Sequence, residues 1–171
     1  MHHIPRVFLR KPTKLTCFTY TGLYRYSLTL CTFERRRLFI SGEIVDLVLT
    51  RIPPLAGLHE FEITAYCFMP DHLHLLATAE SDQSDLRRFL CRLKQLTGYD
   101  HSRKYKTRLW QRYSWDRVLR RDEDTWTVIR YILANPVRAL LVEQPMDYQF
   151  SGSLKYSREE LISAFADCQA G

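Results

Sequence analysis

Residues 61–79 read FEITAYCFMPDHLHLLATA. From Phe61 to Phe68, and again from His72 to Ala79, the chain alternates and is rich in β-branched and aromatic residues, as a half-buried strand requires. Met69-Pro70-Asp71 between them is a tight turn. The stretch therefore predicts two antiparallel strands. Side chains two apart on a strand share a face, so Leu73 points to the core and His72 and His74 point together to the other side. Two such imidazoles can converge on one divalent ion. They can equally be surface or hydrogen-bonded histidines, and the pattern alone leaves both open.

Working outward, Tyr24 to Phe33 (YRYSLTLCTF) reads as a strand. Glu43 to Arg51 places Ile44, Val45, Leu47 and Val48 at helical spacing, and Pro53-Pro54 ends that helix. Beyond the hairpin a helix is expected, with Ser84 as its cap, Leu86, Phe89, Leu90, Leu93 and Leu96 as its apolar stripe, and Gly98 at its end. Residues 99–108 read as an exposed basic loop, and Leu109 to Leu119 as another strand. Asp122 to Ala134 reads as a helix stopped by Pro136, and Gln144 to Ser153 as a loop. Ser157-Arg-Glu-Glu160 reads as a capping box opening a short last helix. The order βαββαβ followed by helices predicts an α+β protein: a ferredoxin-like split βαβ core, its sheet largely antiparallel, with helices on one face. Residues 1–23 form an N-terminal arm, 24–153 the domain and 154–171 a C-terminal helical tail.

The 171 residues are 46% hydrophobic, enough for a buried core and too many for a disordered tail. No window approaches the roughly 18 consecutive apolar residues of a membrane span. Met1 to Pro12 lacks the apolar region of a secretory signal, so a cytoplasmic location is expected. Cys17, Cys31, Cys67, Cys91 and Cys168 are odd in number, widely spaced and without a C-x-x-C pair. They read as reduced, mostly buried small hydrophobes rather than a zinc knuckle or disulfide framework.

Charge is concentrated. Ser84 to Arg121 carries 12 Lys and Arg against 3 Asp and Glu, whereas the remainder carries 13 against 16. Tyr99, Tyr105, Trp110, Tyr113 and Trp115 interleave with the basic residues. Cations that neutralise phosphates and rings that stack on unpaired bases make this stretch a candidate nucleic-acid surface, although many charge runs are only solvated.

Tyr131 and Asn135 lie four apart on the predicted 122–134 helix and its end. At about 100° per residue from Val128, Ile129, Ile132 and Leu133 fall between about 0° and 140°. Tyr131, Asn135, Asp124, Thr127 and Arg138 fall between about 260° and 340°. Tyr131 is thus off the apolar stripe, where a core tyrosine would not be. A phenol can attack a phosphodiester when a cation polarises the phosphate, and two imidazoles with an amide oxygen could hold that cation.

Three stretches together resemble a known family. Tyr66-Cys-Phe-Met-Pro-Asp-His-Leu-His-Leu75 resembles the metal-binding strand of HUH single-tyrosine transposases. Trp110-Gln-Arg and Asp116-Arg-Val-Leu119 resemble the segment leading to their catalytic helix. Tyr131-Ile-Leu-Ala-Asn-Pro-Val-Arg-Ala139 with Leu141-Val142 resembles the helix itself. The nearest likeness is to the REP-associated tyrosine transposases. The resemblance implies cleavage and rejoining of single-stranded DNA beside a hairpin, through a 5′-phosphotyrosine, with Mg²⁺ or Mn²⁺ as cofactor. By position it implies Tyr131 as nucleophile, His72 and His74 as metal ligands, and Asn135 as the amide ligand, where relatives often carry Gln. Leu140 stands where many relatives have Gly, and Trp115 where another aromatic is common. Arg87, Arg88, Lys94, Arg112, Arg117, Arg120 and Arg121 are the candidate DNA contacts. Monomer and homodimer both stay open, as do two other activities: a silent binder of structured nucleic acid, and a phosphodiesterase using activated water.

Overall fold

The structure, a computed structural model, describes residues 19–166. Five strands form one sheet in the order β4-β1-β3-β2-β5, every pairing antiparallel. They are β1 (Arg25–Cys31), β2 (Phe61–Met69), β3 (His72–Ala79), β4 (Trp115–Val118) and β5 (Ser151–Gly152). The first four strands have the ferredoxin-like order β4-β1-β3-β2, and β5 adds to the β2 side of the quoted hairpin. The helices are α1 (Gly42–Leu49), α2 (Ile52–Leu58), α3 (Leu86–Tyr105), α4 (Thr125–Leu133), α5 (Asn135–Arg138) and α6 (Arg158–Ala166).

Alternation divides the sheet as the sequence predicts. Leu28, Leu30, Leu73, Leu75 and Ala77 face the larger core, with α1, α2 and α3 packed on it. Ala65, Cys67, Met69 and Leu76 face a second, smaller core that Val128, Ile129, Ile132 and Leu133 of α4 and Leu161 of α6 close. The main helical layer therefore lies on one face, and α4 with α6 adds cover to part of the other. His72 and His74 stand on that second face, beside α4.

Several boundaries differ from the sequence expectation. Pro53 and Pro54 occupy the first turn of α2, where a missing N–H costs nothing, so they open a helix as well as ending α1. The cap of α3 is Asp85, whose Oδ1 accepts from Arg88 N (3.1 Å), while the buried Ser84 hydroxyl donates to Glu60 O (2.7 Å). Gly98 lies inside α3, which runs on to Tyr105 and ends at Lys106 with φ 56°, so residues 99–105 are helix. Within 109–119 only β4 is regular strand; Trp110 is buried, donating Nε1–H to Thr97 Oγ1 (2.8 Å). The capping box of α6 forms as read: Ser157 N donates to Glu160 Oε2 (2.7 Å) and Glu160 N to Ser157 Oγ (3.2 Å). Cys31 and Cys67 are buried and Cys91 is exposed; Cys17 and Cys168 lie outside the described residues.

Candidate functional site

Paired residues of neighbouring strands present their side chains to the same face. Trp115 of β4 pairs with Thr29 of β1, Thr29 with His74 of β3, and His74 with Cys67 of β2. One row therefore crosses the sheet beneath the α4 side, and His74 is in its middle. His72 lies one step further along β3, opposite Cys31 and Met69.

The two imidazoles meet edge to face and are hydrogen-bonded to each other through their Nε2 atoms, 3.0 Å apart. Each Nδ1 is held from behind. His72 Nδ1 donates to Asp71 Oδ1 (2.6 Å), and Asp71 is itself held by Arg35 Nε (2.8 Å). His74 Nδ1 is 3.1 Å from Thr29 Oγ1. Burial would raise the Asp71 carboxyl, but the His72 hydrogen bond and the charges of His72 and Arg35 hold it below the ordinary value. Burial, with the charges of His72, Arg138 and Arg35, pushes His74 down to about 3, so it is a neutral imidazole near pH 7. A neutral imidazole with an anchored Nδ1 and an inward Nε2 is the form that ligates a metal. The 3.0 Å separation also fits a shared cation, since two ligands about 2.1 Å from an octahedral ion at right angles lie about 3.0 Å apart. No group of three His, Cys, Asp or Glu among the described residues is placed to hold a metal, so further donors would be amide, water or substrate oxygens.

Tyr131 lies on the last turn of α4. Asp124 caps that helix by accepting from Trp126 N (3.3 Å) and Thr127 N (2.8 Å). Arg25 pins the approach to it, bonding Arg120 O, Arg121 O and Thr125 Oγ1. Tyr131 is 61% exposed, as its place off the apolar stripe predicts. The helix breaks just after it, because Pro136 has no N–H for Ile132 O. The Asn135 side chain fills the gap: Nδ2 donates to Ile132 O (2.9 Å). Arg138 completes the turn, with Nη2 donating to Tyr131 O (3.0 Å) and Asn135 Oδ1 (2.8 Å), and its guanidinium 4.1 Å from the Tyr131 ring centre.

The structure thus joins His72 to His74, and Tyr131 to Asn135 and Arg138. The two groups sit on elements packed against each other: α4 packs on β2 and β3, and α5 on β2. Asn135 does not join the imidazoles by a hydrogen bond; its amide is engaged along its own helix. Asp71, Thr29 and Arg138 were not among the candidate site residues. Asp71 was visible as the residue before His72, and Arg138 as a member of the polar face; Thr29 carried no sequence signal.

The candidate DNA contacts divide. Arg87, Lys94 and Arg112 line a groove of about 1050 Å³ between α3 and residues 106–114, with Tyr20, Trp110 and Tyr113 among its walls. Lys94 is partly buried and donates to Gln111 O (2.7 Å) and Arg112 O (3.2 Å); burial pushes it down to about 8. Arg88 pairs with Asp85, and Arg117 with Glu123. Arg117 shares the Trp115 face of the edge strand β4, and Arg120 and Arg121 are exposed in the loop that follows.

The fold is that of a solved REP-associated tyrosine transposase bound to a REP hairpin (TM-score 0.65, 22% identity, covering 77% of this chain and 78% of that one). The chain belongs to the IS200-like transposase family, whose model matches residues 21–132. It is 28% identical over 145 residues to a protein of Haemophilus influenzae described as a REP-associated tyrosine transposase, covering 78% of this chain and 81% of that one. It is 34% identical over 92 residues to the Escherichia coli REP-associated tyrosine transposase, covering 53% of each.

Proposed function

We propose that this transposase-family chain cleaves and rejoins single-stranded DNA beside a hairpin, with Tyr131 as nucleophile and a divalent ion, Mg²⁺ or Mn²⁺, held by His72 and His74. The observation that carries the reading is the pair of back-anchored imidazoles, whose Nε2 atoms meet on the face that α4 and α5 partly cover. The ion's chemistry is polarisation of the scissile phosphate. Tyr131 Oη attacks phosphorus, the P–O3′ bond breaks and the Oη–P bond forms. The phenol loses one proton to solvent, O3′ gains one, and the bond energy is kept in the phosphotyrosine for rejoining. Asn135 Oδ1 would be the amide ligand if Arg138 released it. α4 and α5, which carry Tyr131 and Asn135, pack on the strands of the histidine hairpin in the same chain, which supports assembly of the site within a single subunit.

The basic groove beside α3 and the arginines of the β4 edge give phosphates a path around that edge to the second face, where Trp115 offers a ring to an unpaired base. The hairpin in the related solved structure supports a folded single strand as substrate.

The test is incubation with hairpin-bearing single-stranded DNA and Mn²⁺ or Mg²⁺. A covalent adduct is expected with wild type and is expected to disappear on chelation. Salt-sensitive binding that is indifferent to His72→Ala, with no adduct, would instead support a silent binder. Multiple-turnover cleavage that survives Tyr131→Phe would support activated water.

A further inference from the structure

We propose that Arg138 is a catalytic residue that grips the scissile phosphate beside Tyr131, and that its contacts in this structure are a parked position. The inference rests on the Tyr131 reading above and adds a residue to it. Arg138 is exposed, and no carboxylate among the described residues pairs with it. Its partners among the described residues are neutral: two oxygens, both reached by one nitrogen, Nη2, and the face of the Tyr131 ring. A guanidinium has five N–H donors in a planar fork, so Nε and Nη1 are left to meet an incoming anion.

The position is as telling as the valence. The guanidinium lies over the phenol ring, on the short helix that packs against β2. A phosphate approached by Tyr131 Oη from one side and polarised from the imidazole side would have Arg138 as the nearest unpaired cation of that turn. A bidentate arginine–phosphate contact is stronger than either neutral bond it would replace. Moving to the phosphate would also free Asn135 Oδ1. Entry of DNA would thus complete the site by drawing away the side chain that holds it at rest. In the transfer itself Arg138 makes and breaks no covalent bond: it balances charge on the non-bridging oxygens while P–O3′ breaks and Oη–P forms.

A charge-neutral phosphate separates this role from a structural one. Wild type and Arg138→Ala are compared on a hairpin oligonucleotide, and on the same oligonucleotide with one methylphosphonate at the position where wild type attaches. On the ordinary substrate, Arg138→Ala is expected to slow adduct formation on the order of 100-fold, with Arg138→Lys recovering part of the rate. On the methylphosphonate the two proteins are expected to react at similar rates, because there is no oxyanion for the guanidinium to meet. An equal loss on both substrates would show that Arg138 only holds the turn, and no loss on either would remove it from the reaction; both overturn the proposal. Thermal melts of each variant report the folding contribution separately. Absence of any adduct with wild type would overturn the Tyr131 reading itself.

Discussion

His72 and His74 stand on a central strand, flanked by β1 and β2, with Leu73 and Leu75 between and beyond them locked into the larger core. Tyr131 stands on the last turn of a nine-residue helix, mostly exposed, at a break that two side chains bridge. The imidazoles cannot move without disturbing sheet packing, and their Nδ1 atoms are tied to Asp71 and Thr29. Among the described residues, Arg138 holds the Tyr131 ring face and its backbone oxygen. Under the proposed function the difference would be a division of labour: a rigid seat for the cation, and a nucleophile on a turn that can be reset. Strand exchange asks for that, because one phenol must attack, carry and release a DNA end around a fixed centre.

This contrast can be broken from either side. The largest effect is expected at the seat. His74→Ala is expected to lower Mn²⁺ affinity at least ~100-fold in calorimetric titration, with little change in melting temperature, since one ligand goes and the core stays. Retained affinity would show that the ion is held elsewhere. Asp71→Asn keeps the turn but loses the carboxylate behind His72, and a fall of about 10–100-fold in the same titration is expected. At the turn the effects move to stability. Asn135→Asp removes the donor to Ile132 O and is expected to cost about 1–2 kcal/mol in urea unfolding while sparing the two imidazoles. The smallest change concerns Leu140, which has φ 55° and is 92% exposed just past α5. Leu140→Gly relieves the left-handed backbone with no packing to lose, and a gain of about 0.5 kcal/mol is expected after glycine's greater chain entropy is subtracted. A loss there would mean that the side chain makes a contact the structure lacks.

The sequence was most legible where local period and tertiary role agree. The hairpin from Phe61 to Ala79 is decided by alternation, and the same alternation puts His72 and His74 together. The exposed face of Tyr131 followed from helical spacing. What stayed hidden depended on partners distant in the chain. Gly98 looks like a helix end, yet α3 passes through it, and Trp110 Cδ1 lies 3.7 Å from where a Cβ would sit, an ordinary packing distance, so neither the backbone nor the neighbour ends the helix there. β5 is two residues long, and its Gly152 is crowded by the Tyr66 hydroxyl, 2.9 Å from an added Cβ; no local pattern announces that approach. Thr29 reached the site through cross-strand register alone. Asn135 shows the opposite limit: spacing put it on the Tyr131 face, but the missing N–H of Pro136 turned its amide back into the helix.

The account turns on which atom the DNA is joined to. The direct measurement is to trap the adduct with hairpin DNA and Mn²⁺, digest the nucleic acid and protein, and map the remaining phosphonucleotide by mass spectrometry. The account predicts the modification on the Tyr131 hydroxyl and on no other residue. A phosphonucleotide on another tyrosine, such as the exposed Tyr113, or cleaved DNA with Tyr131 unmodified throughout, would contradict it.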